Sequence, residues 1–254
     1  MRFTVVIPAR YASQRLPGKP LVELHGRPLI LHVCERARSS GAVEIVVATD
    51  DERVRKVCTD AGVDVQMTQV NHASGTDRIA EVAAIRGWKD DEVIVNLQGD
   101  EPLMPPADIE QTAALLLGHD AAGVSTLCTP IHELDELLNS NVVKIVADGQ
   151  GRALYFSRAP IPWNRDGAAS GLMSQRGFQG ALRHIGIYGY RVGALKHLAA
   201  APPCELEQLE KLEQLRALWL GVTIAVDVAR EMPGPSVDTP EDLQRVAALM
   251  QGNR

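Results

Sequence analysis

The 254-residue chain has none of the cysteine spacings of a disulfide framework or a zinc site. Its four cysteines stand at 34, 58, 128 and 204 with no C-x-x-C pair. A reducing cytoplasm is the compartment that pattern predicts. No apolar stretch reaches the roughly 18 residues that a membrane span needs, so no membrane partner is expected. Residues 1–3 run directly into the first apolar segment, which leaves no room for a leader. Two phosphate-binding signatures are missing, G-x-x-x-x-G-K-[ST] and G-x-G-x-x-G, which excludes a standard P-loop nucleotide hydrolase and a Rossmann dehydrogenase. Positive charge is in deficit: the formal net charge is −6, against a general nucleic-acid binder. There is no internal repeat and no low-complexity tract. The last shortage is local. No carboxylate occurs before Glu23.

That local shortage isolates residues 10–19, Arg-Tyr-Ala-Ser-Gln-Arg-Leu-Pro-Gly-Lys. The segment carries three cations and no acid in an acidic protein. It follows an apolar run, residues 3–9, that reads as a buried strand. A basic loop leaving the C-terminal end of a first strand is where an open α/β sheet takes a phosphorylated ligand. Arg10, Arg15 and Lys19 could clamp phosphate oxygens, with Ser13 as a further donor. The plainer reading is a solvated surface loop.

Strand and helix patterns alternate from there. Strands are expected near 43–49, 64–68, 92–97 and 121–128, with helices from 28, over 51–61, from 74 and near 106–117. Such alternation indicates βαβ units and a mostly parallel sheet flanked by helices. Residues 142–147 and 153–157 read as a hairpin about Asp-Gly-Gln-Gly. Residues 159–183 form a long Pro- and Gly-rich loop of the kind that is either a lid or disordered. A strand over 185–192, one continuous helix over 205–220, a strand over 222–228 and a helix over 239–250 complete the chain.

Further candidate positions fall at the element boundaries. Asp100, in Gln-Gly-Asp-Glu-Pro, sits at the exit of an inner strand, on the sheet edge that bears the basic loop. It reads as a magnesium ligand or as a turn residue; magnesium prefers one or two carboxylates plus substrate phosphates. Asp238 precedes a helix that Thr239, Pro240 and Asp242 can cap without it. It is therefore either a second metal ligand or an ordinary turn residue. Ser74 and Asp77 have capping spacing, while Gly75 and the first-turn N–H groups could approach a base or phosphate. Glu213 shares a helical stripe with leucines and Arg216, paired with Arg216 or aimed at a ligand hydroxyl. Arg158, Arg183, His184 and Tyr188 bracket the long loop and suit a second, anionic substrate.

Five motifs then occur in one order: R-x-x-S-x-R-L-P-x-K, Ser-Gly-Thr-Asp-Arg, Gln-Gly-Asp-Glu-Pro, Leu-Glu-Gln-Leu-Arg and Val-Asp-Thr-Pro-Glu-Asp-Leu. Together they closely resemble the 3-deoxy-manno-octulosonate cytidylyltransferases, or CMP-Kdo synthetases, from residue 3 to about 249. The resemblance implies a GT-A-like, Rossmann-related nucleotidyltransferase fold in a homodimer. It implies one domain over 1–254, with a nucleotide-binding core at about 1–128 and 222–254. A smaller β-rich region at about 129–221 would serve sugar binding and dimerisation. Arg10, Ser13, Arg15 and Lys19 would hold the CTP phosphates, with Arg15, Lys19 and Asp100 central to catalysis. Ser74, Gly75 and Gln98 would meet the nucleotide, and Asp100 and Asp238 would bind Mg²⁺. Arg158, His184, Tyr188, Glu213 and Gln214 would meet Kdo. The reaction implied transfers CMP from CTP to the sugar for lipopolysaccharide biosynthesis.

Overall fold

The computed structural model describes all residues except 14, 73, 168–176 and 252–254. The inner part of the expected lid, 168–176, therefore lies outside the described residues.

The elements run β1 (Thr4–Pro8), β2 (Glu23–Leu24), β3 (Arg27–Pro28), α1 (Leu29–Arg38), β4 (Glu44–Thr49), α2 (Glu52–Asp60), β5 (Asp64–Met67), α3 (Gly75–Ile85), β6 (Val93–Asn96), α4 (Pro106–Leu117), β7 (Val124–Pro130) and α5 (Leu134–Leu138). There follow β8 (Lys144–Ala147), β9 (Ala153–Ser157), β10 (Leu182–Arg191), α6 (Val192–Ala200), α7 (Glu205–Glu210), α8 (Gln214–Trp219), β11 (Ile224–Val228) and α9 (Pro240–Gln251). The central sheet is ordered β11-β7-β10-β6-β1-β4-β5, and β8 and β9 extend from β10.

Strand β1 pairs in parallel with β4 on one side and β6 on the other. The chain thus leaves β1 to build one half of the sheet and returns to build the other. The C-terminal edge beside β1 is that switch point, where open α/β sheets leave a crevice. Alternation along β1 explains why it is central. Val5 and Ile7 pack into one layer with α1 and α4, and Val6 into the opposite layer with α3 and α6. A strand buried on both faces needs the near-continuous apolar run found at 3–9.

Two features depart from the simple pattern. Strand β10 runs antiparallel to β6, β7 and β8. It belongs by sequence to the 129–221 stretch, yet it lies in the middle of the sheet, so the two regions share one sheet. The continuous helix expected over 205–220 is two short helices, α7 and α8. Lys211 takes φ 55°, a left-handed conformation that ends α7. The break separates Leu206 and Leu209, the latter 73 % exposed, from the buried Arg216 and so dissolves the stripe expected over Leu206, Leu209, Glu213, Arg216 and Leu220. The hairpin between β8 and β9 forms as expected, closed by Gly151 N–H donating to the Asp148 carbonyl.

Candidate active site

The basic loop leaves the C-terminal end of β1 and folds back on itself. Gly18 has φ +69°, and a Cβ there would meet the Tyr11 hydroxyl and ring at 3.0–3.3 Å. The Arg53 guanidinium stacks over that ring at 3.5 Å from its centroid. The turn aims Lys19 across the crevice toward the exit of β6. Glycine is needed at 99 as well, since a Cβ there would lie 2.8 Å from the Pro8 carbonyl oxygen. That close approach draws the exits of β1 and β6 together and sets Asp100 beside the basic loop.

Asp238 comes from the far end of the chain. The Val237 N–H donates to the Asp100 carbonyl at 2.9 Å and ties the two segments. Thr239 and Asp242 cap α9 reciprocally, as the sequence implied: Asp242 N–H donates to Thr239 Oγ1 and Thr239 N–H to Asp242 Oδ2. The Asp238 N–H joins that cap, donating to Asp242 Oδ2 at 3.2 Å, while its side chain stays free of the cap and turns into the crevice. The Lys19 ammonium donates to Asp100 Oδ2 at 2.7 Å and to Asp238 Oδ1 at 2.9 Å. Arg15 reaches the same Asp238 oxygen at 2.9 Å. Burial works against the Lys19 charge, but the two carboxylates outweigh it and hold its pKa above the usual lysine value. Next door, burial and the negative charges of Asp100 and Asp238 push Glu101 up to about 8.

The crevice is an outer cavity of about 820 Å³. Arg10, Ser13, Arg15, Lys19, Ser74, Gly75, Gln98, Asp100 and Asp238 all face it. So do Glu213 and two residues not singled out from sequence, His72 and Arg78. Arg78 is nearly buried and held by Asp50 at 2.7 Å and by Thr68. Its presence in the Ser-Gly-Thr-Asp-Arg motif was the signal that could have found it. Ser74 does cap α3, accepting from Asp77 N–H at 3.1 Å. The helix N-terminus and the capping role coexist.

A second, inner cavity of about 320 Å³ opens beside the first and shares Gly75, Gln98 and Glu213 with it. Tyr188, Glu213 and Gln214 line it, as do Thr76, Asn96, Tyr190, Lys211 and Arg216. Thr76 Oγ1 donates to Glu213 Oε2 at 3.0 Å, joining the start of α3 to the start of α8 where the cavities meet. Burial raises the Glu213 pKa, and the Thr76 hydrogen bond partly offsets it. Arg216 pairs with Glu207 rather than Glu213. The i, i+3 pairing open to Glu213 from sequence is therefore not made.

Arg158 and His184 line neither cavity. The Arg158 guanidinium donates to the backbone carbonyls of Glu210 and Ser140 at 2.7 and 3.0 Å. His184 stands behind Tyr188, ring centroids 5.3 Å apart, with Phe156 edge-on at 5.1 Å. Thr126 has one hydroxyl proton, taken by the Ile187 carbonyl at 2.7 Å. His184 Nε2–H therefore donates to Thr126 Oγ1 at 3.0 Å. Burial, then the Arg183 charge, lowers the His184 pKa to about 3, so the ring is neutral. Arg183 is exposed and reaches Glu136 at 3.3 Å.

The outer cavity thus offers cations for several phosphate oxygens and two carboxylates that already converge on one positive charge. Among the described residues no cluster of three or more His, Cys, Asp or Glu could hold a metal by itself. Two carboxylates opposite a phosphate clamp are the donor set that magnesium accepts when a ligand supplies further oxygens.

Residues 4–224 match the family model described as cytidylyltransferase. The chain is 53 % identical over 251 residues to a 3-deoxy-manno-octulosonate cytidylyltransferase of Thioalkalivibrio sulfidiphilus, covering 99 % of this chain and all of that one. It is 55 % identical to the enzyme of the same description from Alkalilimnicola ehrlichii, over 98 % of this chain and 96 % of that one. A solved CMP:2-keto-3-deoxy-manno-octonic acid synthetase complexed with CTP superposes over the full length of both chains, with a TM-score of 0.90 at 40 % identity. A cytidylyltransferase structure from Leptospira borgpetersenii shares the fold alone, with a TM-score of 0.62 at 16 % identity. The chain belongs to the cytidylyltransferase family of nucleotidyltransferases, within the 3-deoxy-manno-octulosonate cytidylyltransferase group.

Proposed function

We propose that this enzyme transfers CMP from CTP to the anomeric hydroxyl of 3-deoxy-D-manno-octulosonate (Kdo), releasing pyrophosphate. The observation that carries the reading is the pair of joined cavities. One holds Arg10, Arg15, Lys19, Asp100 and Asp238; the other sets Tyr188, Glu213 and Gln214 among apolar walls, is sized for a small sugar, and meets it at Gly75, Gln98 and Glu213. The names of the relatives support the choice of nucleotide and sugar.

In this reading Arg10, Ser13, Arg15 and Lys19 grip the triphosphate. Ser74, Gly75 and Gln98 border the nucleoside. Tyr188, Glu213 and Gln214 face the sugar, while Arg158 and His184 brace the wall behind it. The chain supplies little covalent chemistry. It holds the sugar hydroxyl against the α-phosphorus and places cations where pyrophosphate charge develops. Asp100 and Asp238 would hold magnesium, which when bound polarises phosphate oxygens and eases deprotonation of the attacking hydroxyl. The product would feed lipopolysaccharide synthesis. The enzyme would act in the cytoplasm as a homodimer, the 129–221 region serving the sugar and the dimer contact.

Pyrophosphate release with CTP and Kdo, with and without Mg²⁺ and with sialic acid as competitor, tests this. Mg²⁺-dependent release with Kdo is expected. Preference for sialic acid, or release without divalent metal, would refute it.

A further inference from the structure

Strand β6 ends in Asn96, on the face that packs toward α3 and α6. Its register neighbours are Val6 on one side and Tyr188 on the other. Asn96 is 1 % exposed and lines the inner cavity. Its Oδ1 has no hydrogen-bond partner among the described residues. Buried side-chain amides are almost always paired, so an orphan here needs a reason. The other such atom, Asp108 Oδ2, lines neither cavity, and its sister oxygen accepts from Glu231 N–H. Among the described residues Asn96 alone couples an unmet hydrogen bond to a ligand-sized space.

We propose that Asn96 is a specificity-determining residue for the acid sugar, its amide, with Oδ1 unpaired, hydrogen-bonding one sugar hydroxyl on the cavity floor. This rests on the reading of the inner cavity as the sugar site. A hydroxyl suits the position for two reasons. It both donates and accepts, so it satisfies the amide whichever of its two ends faces it. A carboxylate would instead meet Glu213, a second acid in the same cavity. A site built to hydrogen-bond a substrate hydroxyl rejects the analogue that lacks it, because the buried protein group is then left unpaired.

Asn96→Val suits the strand and removes the orphan amide, and Asn96→Ala does so with less bulk. Three readouts are needed: the thermal midpoint, CTP affinity by calorimetry, and kcat/KM for Kdo and its monodeoxy analogues by pyrophosphate release. An unchanged or higher midpoint is expected in at least one variant, since an unpaired buried polar group is lost. CTP affinity should stay within about twofold, and kcat/KM for Kdo should fall about 10- to 100-fold. On one monodeoxy sugar, wild type and variant should converge. Equal use of Kdo by wild type and both variants would overturn the proposal and mark the amide as partnered by water. So would a lowered midpoint with parallel loss of CTP binding in both variants, which would show a packing role. Failure of the wild type to use Kdo is a separate result and refutes the sugar assignment itself.

Discussion

Lys19 Nζ lies 2.7 Å from Asp100 Oδ2, and the same ammonium reaches Asp238 Oδ1 at 2.9 Å. A lysine is therefore held between the two carboxylates proposed for the metal. Divalent cation and lysine would compete for those oxygens until a triphosphate draws the ammonium away. Lys19→Met should tighten Mn²⁺ binding to the nucleotide-free enzyme by roughly 3- to 10-fold, the worth of a partly exposed ion pair. It should cut turnover by about 100-fold or more through loss of charge at the leaving pyrophosphate. Manganese titration by electron paramagnetic resonance reads the first effect. Weaker manganese binding in the variant would show that Lys19 organises the carboxylates rather than competing for them.

Asp100→Asn keeps the shape of the side chain and removes its charge. Turnover should fall by about 100-fold or more while the thermal midpoint stays within a few degrees, because only one partly exposed ion pair is lost. Near-normal turnover of this variant at saturating Mg²⁺ would remove Asp100 from the metal site.

Gly99→Ala tests the close approach of β1 and β6. Its Cβ would stand 2.8 Å from the Pro8 carbonyl, a backbone atom that cannot swing aside. Separating the strand exits should cost about 1–3 kcal/mol of stability. It should also weaken CTP binding, since Asp100 moves with the shifted segment. Urea unfolding and CTP calorimetry on the same preparation check both. Wild-type stability would mean that the exits have slack.

How much of this was legible depends on whether the cause is local. The basic loop, the Gln-Gly-Asp-Glu-Pro exit and the α9 cap are local patterns. An apolar strand, a run of cations, and Thr239 three residues before Asp242 dictate their own geometry. The break at Lys211 has no such signature, because a left-handed lysine follows from how α7 and α8 pack. The antiparallel β10 in mid-sheet is likewise a tertiary choice, since its alternation reads the same in either direction. Arg158 and His184 show the limit for site residues. Their types suit an anionic ligand, but Arg158 is committed to two backbone carbonyls and His184 to Thr126. Asn96 went unnoticed because one buried asparagine at a strand end has no meaning until its partners are counted.

His184 makes stability depend on pH. Its pKa is about 3 in the folded protein, and an unperturbed histidine titrates near 6.5. Between those values the unfolded chain binds a proton that the folded protein does not. Stability from the neutral ring is thus complete above about pH 6.5 and is lost as pH falls toward 3. The residue as a whole is only half-buried, so the loss at pH 5 should be about 1–2 kcal/mol. Denaturant unfolding of His184→Gln at pH 7.5 and pH 5 should show a correspondingly flatter dependence than wild type. An equal slope in both proteins would place the titration elsewhere.

Arg216 offers the sharpest test of how the inner cavity is held. Its Nε donates to Glu207 Oε2 at 2.8 Å and its Nη2 to Oε1 at 2.5 Å, a two-pronged, nearly buried pair. Its remaining nitrogen donates to the carbonyls of Leu198 and Ala201, at the end of α6. Glu207 in turn accepts from the Cys204 N–H that opens α7. One guanidinium thus fastens α6, α7 and α8 around the cavity it lines. Arg216→Met would strand a buried carboxylate and two carbonyls, with an expected cost of about 3–5 kcal/mol. Glu207→Leu combined with Arg216→Met should recover part of that loss, because no lone charge remains, but not the two carbonyl bonds. The pair should also resist salt: about 0.5 M NaCl should leave its coupling energy intact while erasing that of the exposed Lys56–Asp60 pair. A double-mutant cycle at low and high salt measures both pairs. Equal salt sensitivity would mean that the Arg216–Glu207 pair opens to water and that α7 and α8 move relative to the cavity.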